Sequence, residues 1–414
     1  MNNAQKDGLS VFGSGLVWFG AAVSIAEIEA GMQLAPACGG GGLPAVAAGI
    51  LLGHLLGGAL LFLAALLGAR TRRGAMDCAK IPFGRSGGGF FALLNVAQLV
   101  GWTAVMVAQG AEAAAPLLGG IPFPAACAGI GVLVALWLFA GLRGAGKTNT
   151  VAMGLLFALT VLLTAVVACG KDSAAAPGEA FAGSAFWFAF EMAAAMPLSW
   201  LPLAADYTKD ARRPPAASAA AAGVYTAVSC WMYAVGLLAA SLPGGGSIAG
   251  AMQAAGLGAA GLLVIVFSTV ATTFLDAWSA GESAKSLWGR IPAKGFGLAV
   301  CALGTLLAAM GAMERYLDFL YLIASVFAPM AAVLLCDAFV RRRTAPSRGA
   351  AAWNFAAWAA GFAAYHLALG SGSFFAAFFP RAFSWECPAG ATLPALLVSA
   401  LLALLSPRPA KTTP

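Results

Sequence analysis

Glu27, Glu191 and Asp276 fall inside stretches that are otherwise almost wholly apolar, and that placement makes them the first candidates for chemistry. A carboxylate at the centre of a bilayer costs at least a few kcal/mol, so it normally faces a cavity and has a partner or a task. Glu29 lies nearer the outer end of the first stretch, where water can reach it. Most of the sixteen acidic residues, Asp77, Asp206, Glu282 and Asp337 among them, fall at the ends of apolar stretches or between them, where solvation accounts for them.

Two further patterns carry chemistry. Asn95, Gln98, Trp102, Met106 and Gln109 recur at three- or four-residue steps and so share one helical face. An indole among amides suits a flat aromatic ligand, whose face stacks while its edge forms hydrogen bonds; the same stripe also suits an interhelical face held by amides. Thr269, Thr272 and Thr273 place hydroxyls at helical spacing just before Asp276. Such oxygens can serve a small hard cation, or bond back to the carbonyls of their own helix.

The elements that must position these groups are membrane helices. Hydrophobic residues make up 61% of the 414 and charged residues only 9%, where a soluble domain carries about a quarter charged. Twelve apolar stretches run near 11–35, 43–69, 88–115, 121–142, 150–169, 184–208, 216–241, 258–283, 295–312, 316–340, 350–369 and 389–406. Stretches of about twenty residues match a hydrocarbon core of roughly 30 Å, and their continuity, without a period of two, excludes a membrane β-barrel. With the N-terminus inside, all of the 23 lysines and arginines except Lys171, Arg315 and Arg381 fall in the cytoplasm. Lys6, Arg143, Lys147, Arg408 and Lys411 are among those that set this bias. The pattern is the positive-inside signature, so the net charge of +7 reports topology and no nucleic-acid partner.

Other motifs point nowhere in particular. The short polar start and the length of the first stretch argue against a cleaved leader. Eight scattered cysteines lack metal or redox spacing, and His54 and His366 stand in separate helices with no hydrolase motif around them. Gly53, Gly57 and Gly58 suit close helix approach.

The first and sixth stretches are the irregular ones. Gly20, Ser24 and Gly31 weaken the helix around Glu27, and Pro197 and Pro202 remove two donors from the middle of the sixth. In a chain of two five-helix halves these stretches correspond, and interrupted helices in corresponding positions are the best sequence pointer to a transporter binding site.

With those residues in view, the chain resembles the nucleobase:cation symporter-1 family. The runs that carry the likeness are 18–28, Gly101-Trp102-Thr103-Ala104-Val105-Met106, 196–203, Asp206-Tyr207-Thr208, 272–277 and Phe327-Ala328-Pro329-Met330, and it extends over essentially the whole chain. Within the family it is most similar to the CytX-type branch of hydroxymethylpyrimidine transporters. The resemblance implies an all-α polytopic membrane protein of LeuT type with twelve transmembrane helices, the first and sixth discontinuous. It also implies a single transmembrane domain over 1–414: a five-helix repeat at 11–169, an inverted second repeat at 184–340 and two extra helices at 350–406. By the same likeness Trp102 stacks on the substrate ring, Ser199 lies in the broken sixth helix, and Asp276 falls near a base-binding asparagine. Sodium would take carbonyls of Gly20 and Val23 and oxygens of Thr269, Thr272 and Thr273. One departure matters: the family's second stacking aromatic falls on Pro197, so Trp200 supplies that face only if local unwinding turns it inward.

The expected function is therefore cation-coupled import of a pyrimidine, foremost the thiamine precursor hydroxymethylpyrimidine, by alternating access across the inner membrane with both termini cytoplasmic. Candidate substrate-binding residues are Trp102, Gln98, Asp276, Ser199, Trp200, Glu191 and Glu27. No cofactor is expected beyond Na+ or H+ as coupling ion. Cytosine, purines or allantoin- and hydantoin-like compounds are alternative cargo; a membrane-embedded enzyme or receptor would need a catalytic constellation that the sequence does not offer.

Overall fold

The computed structural model describes residues 8–144, 146–169, 183–240, 250, 256, 258–311 and 316–407, and these contain helices and no strand. Lys6, Lys171, Arg315, Arg408 and Lys411 of the charge pattern lie outside the described residues, as do the side chains of Arg143 and Lys147. Each of the twelve expected stretches coincides with a helix or a helix pair. In order these are α1 (Val11–Ala22) with α2 (Ile25–Gln33), α3 (Leu43–Thr71), α4 (Ala75–Leu117), α5 (Phe123–Gly144), α6 (Gly146–Cys169), and α7 (Gly183–Ser199) with α8 (Leu201–Thr208). They continue as α9 (Pro214–Ala239), α10 (Gly258–Trp288), α11 (Ala293–Ala309), α12 (Tyr316–Leu335), α13 (Arg348–Leu369) and α14 (Thr392–Leu404). Among the described residues six helices are long and apolar enough to cross a membrane, and eight spans result when each bent pair is taken as one. The chain is an integral membrane protein of the all-α class.

Both breaks fall where the sequence weakens the helix. Between α1 and α2 the axis bends by 50°, and between α7 and α8 by 41°. At the first, Ser24 turns to an extended backbone and its hydroxyl caps α2 by accepting from the Glu27 N–H. The Ser24 N–H is then spent on Ala22 O at 3.0 Å, which frees the Gly20 carbonyl from the bond a continuous helix would give it. At the second, Pro197 ends α7 and Pro202 sits in the first turn of α8, where its missing donor costs nothing.

Glycines set how closely the broken sixth span lies against α3. A Cβ on Gly49, Gly53 or Gly57 would come within 2.5, 2.5 or 2.2 Å of Phe186 O, Phe190 O or Pro197 Cγ, so these contacts exist only because the side chains are absent. Gly58 does the same for Thr226 on α9. Trp18 then wedges against Trp200, Tyr207 and Tyr225 with ring centroids 5.6, 6.1 and 5.7 Å away, all edge-on. That aromatic knot fixes the first break against the second.

The third span differs from its expected start near residue 88. Helical structure begins at Ala75, and Gly84, with φ 68°, kinks it. Only glycine adopts that backbone freely, so the kink separates a short segment at the basic end from the long helix that carries Trp102.

Candidate substrate and ion site

Between the two breaks, Ser24, Ala26 and Glu27 of the first span face Met196, Ser199 and Trp200 of the sixth. Trp102 and Met106 on α4 and Asp276 on α10 close the same cavity. Five of the seven expected substrate residues thus come together: Trp102, Asp276, Ser199, Trp200 and Glu27. Trp200 is the turn residue between α7 and α8, so the unwinding does bring it inward. Pro197, by contrast, packs on Gly57.

The cavity is closed down to about 10 Å³. This admits one water and is far below the roughly 300–1,000 Å³ of small-molecule pockets, so a ring could enter only if the walls part. Trp102 is 4% exposed and rests edge-on against Phe319 at 5.6 Å. Asp276 is 3% exposed, and its Oδ2 has no hydrogen-bond partner among the described residues. A buried carboxylate oxygen left unpaired costs a few kcal/mol unless something docks on it, which is the condition of a binding group.

The other expected residues lie elsewhere. Gln98 donates to Asn95 Oδ1 at 2.6 Å, and Asn95 donates to Pro202 O and to Ser283 Oγ. These amides pin α8 and α10 to α4, which is the packing role the stripe also allowed. Glu191 accepts from the Thr392 N–H at 3.0 Å and the Thr392 hydroxyl at 2.7 Å, so it caps the start of α14. Glu191→Ala is therefore expected to lower stability by about 3–6 kcal/mol, given that two hydrogen bonds to a charged group contribute about 1.5–3 kcal/mol each. A drop in melting temperature with unchanged ligand ranking would bear this out; an altered ranking would return Glu191 to the site.

Around the freed Gly20 carbonyl, the Thr272 hydroxyl approaches at 3.3 Å while also donating to Ser268 O at 2.9 Å. Val23, whose ψ of 82° is non-helical, ends α1 beside it. Thr273 donates to Thr269 O at 2.7 Å, and the Thr269 hydroxyl lies against Gly110 of α4. Of the five expected ion ligands, then, Gly20 and Thr272 are in contact, and the Thr269 hydroxyl lies on the α4 side. Among the described residues no three His, Cys, Asp or Glu side chains gather to hold a metal ion.

The basic end of the bundle is latched below the cavity. Asp206, expected to be solvated, is buried and accepts from the Ala75 N–H at 2.8 Å and Ser279 Oγ at 3.0 Å, joining α8 to α4 and α10. Asp337 is likewise buried, satisfied by Arg343 and Asn354. In both, protein donors replace the water that position in the sequence suggested. Lys209 pairs with Glu282, and Lys80 with Asp77 at 2.7 Å. Burial opposes the Lys209 charge, but Asp206 and Glu282 hold its ammonium above the usual lysine range. Burial likewise opposes ionisation of Asp77, yet Lys80 and Ser286 hold its carboxyl below the usual range.

Solved structures share this fold. Mhp1, a nucleobase-cation-symport-1 family transporter solved in a closed conformation with bromovinylhydantoin bound, superposes with a TM-score of 0.71 over 98% of this chain and 95% of its own, at 17% identity. The fold is the LeuT-type transporter fold. A Na+-coupled sialic acid symporter matches with a TM-score of 0.68 at 14% identity, over 97% of this chain and 89% of its own. MhsT, solved with L-phenylalanine, matches at 0.63 and 14%, over 96% and 99%. Identities this low speak for the fold. No protein-family model and no curated relative matches the sequence.

Proposed function

We propose that this chain is a cation-coupled symporter that imports a pyrimidine, foremost hydroxymethylpyrimidine, by alternating access. The observation that carries the reading is the unpartnered Asp276 carboxylate in one cavity with Trp102 and Trp200, between both helix breaks. An aminopyrimidine offers a flat ring for an indole and an exocyclic amine that donates to a carboxylate. Two five-helix repeats, 11–169 and 184–340, would move against one another, with 350–406 as an appended pair. The positive-inside pattern supports an inner-membrane protein with both termini cytoplasmic.

Sodium is the first candidate for the coupling ion. Its ligands would be the carbonyls of Gly20 and Val23 and the hydroxyl of Thr272, with Thr273 able to join by turning from Thr269 O. A hydantoin is the second cargo reading, favoured by the fold's likeness to the Mhp1 complex.

A thermal-shift screen of the purified protein against pyrimidines, purines and hydantoins, with and without sodium, tests the class, because a ligand that binds only the folded state raises its apparent stability. Asp276→Asn should weaken hydroxymethylpyrimidine by roughly tenfold or more, the worth of one charge-assisted hydrogen bond. It should also favour bases with a carbonyl in its place. An unchanged ranking would put the carboxylate outside the site.

A further inference from the structure

Glu27 has a second set of partners, on α9. Its Oε1 accepts from the Tyr225 hydroxyl at 2.6 Å, and its Oε2 lies 2.7 Å from Ser229 Oγ. Ser229 Oγ in turn lies 2.6 Å from His54 Nε2, and His54 Nδ1 lies 2.9 Å from the Ile50 carbonyl. Glu27 is 1% exposed, and His54, Ser229 and Tyr225 are fully buried.

The Ile50 carbonyl only accepts, so His54 Nδ1 carries a hydrogen. A neutral imidazole then presents Nε2 as an acceptor. Ser229 has one hydroxyl proton, and an ionised Glu27 on its other side is also an acceptor. One proton cannot serve two contacts of 2.6 and 2.7 Å. With a carboxylate and a neutral imidazole, two lone pairs would face each other at hydrogen-bond distance. Both contacts become hydrogen bonds only when the chain holds one proton more. That proton sits on Glu27 Oε2, which donates to Ser229 while Ser229 donates to His54, or on His54, with both bonds reversed. The first arrangement is uncharged and the second is a separated ion pair, so the apolar surroundings favour the proton on Glu27.

We propose that Glu27, Ser229 and His54 form a proton-binding site opening on the substrate cavity, a second coupling site beside that for the metal cation. The site is loaded while the cavity is closed. When the walls part and water reaches Glu27, its carboxyl gives the proton to water and takes the Ser229 hydroxyl as donor, leaving His54 Nε2 without one. The other ionisable groups around it are few: Tyr225, Tyr233 and Cys230 on α9, Asp276 on α10 across the cavity, and Glu29 on α2. Tyr233 stands edge-on to His54 at 4.8 Å and donates to Met192 O, and Glu29 turns to Gln109 on α4. Among the described residues no lysine or arginine reaches the chain to replace the proton as counter-charge.

Infrared difference spectroscopy of the reconstituted protein tests the site directly. Wild type should show a protonated carboxyl C=O band at neutral pH that is lost in Glu27→Gln and displaced in Ser229→Ala, which removes the proton's acceptor. Identical carboxyl regions in wild type and Glu27→Gln would overturn the proposal, as would a band that ignores Ser229→Ala. The coupling role rests on the carrier reading and is read separately, in proteoliposomes with equal sodium on both faces. An inward proton gradient should accumulate hydroxymethylpyrimidine several-fold. Exchange without accumulation would refute coupling and leave the carrier standing, whereas no movement of hydroxymethylpyrimidine would count against that cargo while the infrared result still decides the proton site.

Discussion

Trp102→Ala is expected to abolish saturable uptake. Stacking of a base on an aromatic side chain is worth about 1–3 kcal/mol by alanine substitution, or roughly 5- to 150-fold in affinity. The loss should sit toward the upper end here, because the indole is 4% exposed and lines a closed cavity. Truncation also leaves a hole beside Phe319, and removing a buried aromatic costs about 3–5 kcal/mol of stability. A second variant separates the two effects. Trp102→Phe keeps a ring and much of the packing, so it should retain measurable binding at reduced affinity, while Trp102→Leu fills volume without a stacking face and should not. Titration of hydroxymethylpyrimidine against protein that still elutes as a single species makes the comparison. Wild-type affinity in Trp102→Leu would remove the indole from the site.

The ease of reading the fold and the difficulty of reading the site have one physical origin. Lipid forces every backbone polar group into a helix, so hydropathy and the placement of lysine and arginine locate the spans without reference to contacts. Pro197, Pro202, Gly20 and Ser24 mark the breaks because their effect on the backbone is local. Trp102, Glu27, Trp200 and Asp276 stand out because polar and aromatic groups at that depth need a reason. What sequence does not carry is which group answers which. Glu191 and Glu27 look alike along the chain, yet one meets a helix start 201 residues away and the other Ser229, 202 residues away. Nothing near His54 announces Glu27, although Tyr225 and Ser229, four apart on one face of α9, are a pattern that could have prompted the search. Asp206 misleads for the same reason, since its place at a helix end says nothing of the Ala75 N–H that reaches it.

The ion prediction follows from how the first break is made. Ser24 takes the capping role, its own N–H turns to Ala22, and the Gly20 carbonyl is left facing α10. Thr272 meets it there at 3.3 Å, while its one proton goes to Ser268 O at 2.9 Å, so its lone pairs are free to face a cation. Thr272→Val conserves volume and removes that oxygen. Because Thr272 is fully buried, Thr272→Ser, which keeps the hydroxyl and loses a methyl, controls for packing. Sodium is expected to tighten substrate binding to wild type by roughly tenfold, within the usual 1–3 kcal/mol of coupling between sites. In Thr272→Val the affinity should be flat with sodium at fixed ionic strength, and in Thr272→Ser the dependence should survive. Linkage makes the effect measurable from either side, since substrate must tighten sodium by the same factor. A wild-type affinity that ignores sodium but follows pH would discard the Gly20–Thr272 ion site and leave the proton chain at Glu27 as the coupling device.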